Sequence, residues 1–285
     1  MEFSSLNAYI NWGRAHLPPG PHALIFPEDD VELTATIDHH RRLGFANITV
    51  FGNRADIPPP LGDCHFVQSD FRTQTDVTGV VNAVQRIAPG HWFYYGYNAE
   101  FLFYPFCETR CVQELATYLQ EESRNSTTTC VVDIYAGDLD ANPTGVNRAD
   151  SFFDRSGYYS LALFDEADEL IDRRQHFYGG LKRRFEEHVP PENRRIDRVA
   201  FFKSTPGLTL NPDFTFNMAE YNTISGPWHN SLTAAVASFR TAKALKRNPG
   251  STFDIHTFKW PQSRKFDWGS QQLMDCGLME PGQWF

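Results

Sequence analysis

Along the first 105 residues, short apolar runs alternate with stretches in which apolar positions recur at helical spacing. "HALIF" (22–26) is a run of strand length, and "NITVFGN" (47–53) is another, closed by the turn residues Gly52 and Asn53. Between them Leu33, Ile37, His40 and Gly44 recur every three or four positions, which gives a helix one face to lay on a sheet. Strand, helix, strand at this length is a right-handed parallel crossover. The pattern repeats with "CHFVQSD" (64–70) as a strand and Val77, Val80, Val81 and Val84 as the apolar face of a helix. "HWFYYGYNAEFLFYP" (91–105) follows as a strand that ends or bends near Glu100. The expectation is an α/β fold: a Rossmann-like, open, mostly parallel sheet flanked by helices, with ligands bound beyond the carboxyl ends of the strands.

The remainder is less regular. A short lead helix spans 7–16 and is stopped by "LPPGP", so residues 1–20 read as lead helix and linker and 21–285 as one domain with a docked C-terminal tail. "CVQELATYLQEESR" (111–124) predicts a helix, "TTTCVVDIYAGD" (127–138) a buried strand, and "RRIDRVAFFKS" (194–204) another strand. "PWHNSLTAAVASFRTAKALKR" (227–247) predicts one strong helix. The polar, Gly- and Pro-punctuated segment 139–159 has no period and reads as a lid or binding loop.

Net charge is −9, a field that repels nucleic-acid backbone and anionic lipid, so no nucleic-acid partner is expected. No stretch approaches the roughly 20 apolar residues of a membrane span, and the N-terminus lacks the basic start and apolar run of a signal peptide. Five thinly spread cysteines fit reduced thiols, and "CETRC" lacks the spacing and second pair of a structural zinc site. Together these features predict a cytoplasmic protein.

Candidate chemistry concentrates on the aromatic strand. Residues two apart on a strand share a face, so Asn98 and Glu100 are expected to look into one cleft; the alternative is a hydrogen-bonded polar pair inside an aromatic core. Glu28 and Asp29 are either ligand contacts or acids compensating a helix dipole. Adjacent on one helix, His39 and His40 point in different directions and do not suit a shared metal. Asp133, inside an apolar strand, is a general base or a satisfied core acid, and Asp138 is a second candidate base.

The segment "EDDVELTATIDHHRRLGFANITVFGN", followed by an aromatic strand ending in an acid, Phe and Leu, resembles the family-2-like glycosyltransferases of the GT-A fold. Glu28, His39, His40, Leu43, Gly44, Phe45, Val50, Phe51 and Asn53 occupy the matching places over residues 22–105. The resemblance implies a GT-A-like fold and a hexosyltransferase-type activity, with a nucleotide-sugar donor and an unspecified acceptor. It also implies substrate contacts from Glu28, Asp29, Asn53, Asn98, Lys203, Trp228 and His229, and catalytic roles for Glu100, Asp133 and Asp138.

Where such enzymes carry Asp-x-Asp to hold a divalent ion against the donor diphosphate, this chain reads Tyr97-Asn98-Ala99 before Glu100. Three readings stay open: Mn2+ or Mg2+ held by Glu100 with His229; metal-independent transfer, with Lys203 or one of Arg110, Arg183 and Arg184 facing the diphosphate; or a non-catalytic nucleotide-sugar or carbohydrate binder.

Overall fold

The computed structural model describes residues 1–57, 62–70, 74–226 and 230–284. The protein is α/β, built on a mixed, mostly parallel sheet flanked by helices. Among the described residues no helix is long and apolar enough to cross a membrane. The chain divides into two compact units, residues 1–101, 107–128 and 198–223 in the first and 102–106, 129–197 and 224–285 in the second. Both are discontinuous in sequence, so neither is a simple N- or C-terminal domain.

In chain order the first unit opens with β1 (Glu2–Phe3), α1 (Leu6–His16), β2 (His22–Phe26), α2 (Leu33–Arg42), β3 (Asn47–Gly52), β4 (His65–Gln68), α3 (Gln74–Gln85) and β5 (Trp92–Tyr97). The Ser5 side chain caps α1 by accepting from the Ala8 N–H at 3.2 Å. Gly44, at φ +85, ends α2 as the left-handed residue that lets Phe45 N–H reach back to His40 O. β2, β3 and β5 are buried along their whole length, as central parallel strands are. Their order is β1-β4-β3-β2-β5, all parallel. A core of Leu24, Phe26, Phe51, Val77, Val81, Val84, Phe93 and Tyr95 lies between sheet and helices.

After β5 the chain does not continue straight. Asn98 and Ala99 make a tight turn, with Ala99 at φ +57, and β6 (Glu100–Phe103) begins a new strand. Helix α4 (Val112–Glu121) and strand β7 (Ser126–Ala136) follow, and the unit boundary falls within β7.

The following elements are β8 (Ser151–Asp154), β9 (Tyr159–Phe164), β10 (Leu170–Tyr178), α5 (Gly180–Arg184), β11 (Asp197–Lys203), β12 (Ala234–Ser238), α6 (Arg240–Arg247), α7 (Pro249–Thr252), β13 (Ser263–Lys265) and α8 (Ser270–Asp275). From Arg198 onward β11 belongs to the first unit, where it runs antiparallel to β5. In the second unit β12 pairs in parallel with Thr129–Asp133, β8 pairs antiparallel with Ile134–Ala136, and β13 antiparallel with β8. Tyr135, Leu139, Leu181, Ala242, Leu245 and Phe258 form its core.

The single helix expected over 227–247 is a strand and a shorter helix. "AAVAS" is buried at every position and takes a place in the sheet, and the helical pattern begins only at Arg240. A hairpin, β9–β10, stands where no element was expected, and β8 shortens the expected irregular segment.

Candidate functional site

In the first unit, β3 and β5 flank β2 on opposite sides, so the chain leaves β2 at a point where the winding of the sheet reverses. Sheets of this kind bind ligands in a crevice beyond the carboxyl ends of the strands at such a point, here β2 and β5. The sequence delivers Pro27, Glu28 and Asp29 there from β2, and Asn98 from β5.

Asn98 ties the two together. Its Oδ1 accepts from the Glu28 N–H at 2.9 Å, and its Nδ2 donates to Asp29 Oδ1 at 2.5 Å and Val31 O at 2.8 Å. Ala99 N–H donates to Thr36 Oγ1 at 2.9 Å, so the turn is pinned to the start of α2 as well. Glu28 and Asp29 thus precede α2 rather than standing in its first turn, which holds no acid. Glu28 remains exposed and Asp29 half-buried.

The expected shared cleft for Asn98 and Glu100 does not form: both side chains are fully buried. The turn between them breaks the two-residue strand periodicity on which that expectation rests. Glu100 Oε2 accepts from Arg198 Nη2 at 2.5 Å and from the Tyr97 N–H at 3.0 Å, and Oε1 faces Arg198 Nη1 at 3.4 Å. The guanidinium also lies 5.6 Å from the Tyr95 ring centre and 5.8 Å from that of Tyr97. Burial works against the charge on Arg198, yet Glu100 outweighs it and the guanidinium is held above its usual range.

Asn53 closes β3 as a turn residue, its Oδ1 accepting from Ala55 N–H and Gln68 Nε2 at 3.0 and 3.3 Å. Lys203 does not reach this crevice along the sheet. Because β11 runs against β5, Lys203 pairs with Trp92 at the amino end of β5, six residues from Asn98 or about 20 Å at strand spacing. Its ammonium donates to Gln120 Oε1 at 2.8 Å. The same reversal brings Arg198, unforeseen in the sequence, to Glu100.

The second unit holds a different acidic cluster. Asp133 is 1% exposed on β7; its Oδ2 accepts from the Lys182 N–H at 3.3 Å, and Thr241 adds a side-chain hydrogen bond. Among the described residues the enclosed Oδ1 has no partner. Burial, reinforced by Asp154, pushes the Asp133 carboxyl up against the lowering pull of Lys182 and the hydrogen bonds. Asp154, buried on β8, receives Tyr135 Oη at 2.5 Å, Trp260 Nε1 at 2.7 Å and Arg184 Nη1 at 3.1 Å.

Tyr158 sits beside these acids with its hydroxyl enclosed and, among the described residues, unpartnered, and burial followed by the two aspartates holds its proton on. Gly179 and Gly180 permit the close approach: a Cβ on Gly180, itself at φ +62, would stand 2.7 Å from Asp133 Oδ2, and one on Gly179 would strike the Tyr158 ring. Asp154, Tyr158 and Trp260 escaped the sequence reading; "FFDRSGYY" looked like loop, and only its one acid between two aromatic pairs hinted otherwise.

Asp138 is exposed and occupied with its own turn, accepting from Asp140 and Ala141 N–H at 2.9 and 3.1 Å. Trp228 and His229 lie outside the described residues. Among the described residues no three His, Cys, Asp or Glu side chains gather as a metal cage. With its carboxylate engaged by Arg198, Glu100 does not fit the anchor for the divalent ion that the resemblance implies. No protein-family model and no curated protein matches this chain.

Proposed function

We propose that the protein is a glycosyltransferase-like enzyme that binds the nucleoside diphosphate of a sugar donor at the carboxyl end of β2 and β5. The observation that carries this reading is the meeting of Glu28, Asp29 and Asn98, distant in sequence, at the reversal point of the parallel sheet. Asn98 sets the backbone of the 28–31 segment, and the exposed Glu28 is the side chain offered to a ligand. Glu100 and Arg198 act as positioning residues that fix the turn bearing Asn98.

In the transfer reaction the acceptor O–H proton goes to a base. The acceptor oxygen bonds to the sugar's anomeric carbon, and the bond from that carbon to the diphosphate breaks with its electron pair on the leaving group. No step is routed through a metal.

A second reading, a nucleotide-sugar binder without transferase activity, is favoured by the Glu100–Arg198 pair: a carboxylate neutralised by its own guanidinium brings no net charge to a leaving diphosphate. Calorimetry with uridine, guanosine and thymidine diphosphates, with and without manganese, tests both readings. Binding by one of them that weakens at least about tenfold in Glu28→Ala is expected. Absence of binding by the whole panel sinks both. Binding without sugar hydrolysis or transfer from the matching nucleotide sugar leaves the binder.

A further inference from the structure

The β9–β10 hairpin of the second unit gathers Tyr159, Leu161, Phe164 and Leu170, exposed at 44%, 51%, 56% and 62%. Large apolar side chains concentrated on one projecting element mark a contact surface. The two edges of the hairpin differ. The β10 edge is covered: Arg173 O accepts from Ile224 N–H at 3.0 Å, Phe177 O from Ile196 N–H at 2.9 Å, and Phe177 N–H donates to Asp197 Oδ1 at 2.7 Å. Among the described residues β9 pairs with β10 alone, and its outer edge has no backbone partner.

Natural edge strands are protected by charge, proline or a bulge that prevents pairing with another chain. β9 reads "YSLALF" and has neither charge nor proline, and the irregularity of this hairpin lies in β10, between Leu170 and Gln175. Its ends are oppositely charged. The tip that follows carries Asp165, Glu166, Asp168 and Glu169, all exposed, whereas exposed Arg155 precedes the strand and exposed Arg183 follows the return of β10.

We propose that β9 is a self-association edge, taking as its partner β9 of a second copy of this chain in antiparallel pairing. A two-fold axis through Leu161 sets Tyr159, Leu161 and Leu163 of both copies on one face, each residue opposite its like or its apolar neighbour. The antiparallel sense carries the acidic tip of each copy past the start of the other's strand, toward Arg155 and Arg183. A parallel partner would set tip against tip, acid against acid. A short strand pair buries little area, so the dimer is concentration-dependent rather than obligate.

Sedimentation velocity of the full chain over a micromolar concentration series tests the proposal. The wild type is expected to shift from monomer to dimer. Leu161→Lys, at an exposed position where circular dichroism should show the fold retained, is expected to weaken dimerisation at least about tenfold by placing a charge on the edge. Arg155→Glu is expected to weaken it about threefold, and Arg155→Glu with Glu166→Lys to restore it. A chain that stays monomeric throughout, or a dimer indifferent to Leu161→Lys, overturns the proposal, as does a charge swap that fails to restore what Arg155→Glu loses.

Discussion

Glu100 and Asp133 are both acids sealed inside strands, and they are in opposite chemical situations. Glu100 has Arg198 on its carboxylate and the Tyr97 N–H besides, so its charge is matched by another charge. Among the described residues Asp133 has hydrogen bonds and the field of Lys182 to set against burial, with one oxygen unsatisfied, and it is pushed toward its neutral form. A buried acid with a guanidinium holds structure together. One without it is held toward its neutral form by burial.

The sharpest way to break this comparison is Arg198→Met, which strands the Glu100 carboxylate. It should cost about 3–5 kcal/mol in urea denaturation, and Glu100→Leu added to it should recover most of that loss, since a well-packed apolar pair often replaces a buried ion pair at little cost. If the double variant is no more stable than the single one, Glu100 is not held by Arg198 in the way described.

Gly180→Ala should come next, at about 2 kcal/mol, because the added methyl collides with Asp133 Oδ2 and the backbone is left-handed there. A thermal melt reads it. Combining it with Asp133→Ala should relieve the clash and leave only the backbone strain.

Asp133→Asn should move the other way. A carboxyl whose proton affinity is raised in the folded state stabilises the protein below its unfolded value near 3.9 and loses that contribution as pH rises through the folded value. The asparagine variant should therefore equal the wild type in acid and be the more stable of the two at pH 7–8. The difference from wild type is the quantity to follow. His22 and His40, each pushed down to about 3 by burial and a neighbouring histidine, impose the opposite slope on both proteins: they fold neutral, so stability falls as pH drops below about 6.5 and unfolded imidazoles take up protons.

The smallest effect belongs to Lys203→Ala. Among the described residues its ammonium hydrogen-bonds the Gln120 side chain alone, so stability should change by less than about 0.5 kcal/mol and nucleotide affinity should not move. A clear loss of affinity would put the ligand at the other edge of the sheet.

Much of the first unit was legible because its signals are local. The valines of α3, the apolar runs of β2 and β3, and "LGF" as a helix stop each state their element within a few residues, and all of them hold. What failed depended on partners far along the chain. "AAVAS" has good helix formers, and only neighbouring strands turn it into β12. The direction of β11 is not written in "DRVAFFK", so Lys203 was expected at the end where Arg198 stands. Ala99 at positive φ is a turn that its own sequence does not advertise, and it alone undid the inference that Asn98 and Glu100 share a face. The apolar alternation of β9 was readable, and was lost among the polar residues around it.

The ion pair joining β6 to β11 spans 98 residues of chain. During synthesis the acid emerges well before the base that neutralises it, and until then the turn after β5 holds an unmatched anion among rings. Maturation of the first unit must wait for the segment 198–223 to arrive, a long-range closure that slows folding and lengthens the interval in which the aromatic strand stands open to chaperones or to misassembly.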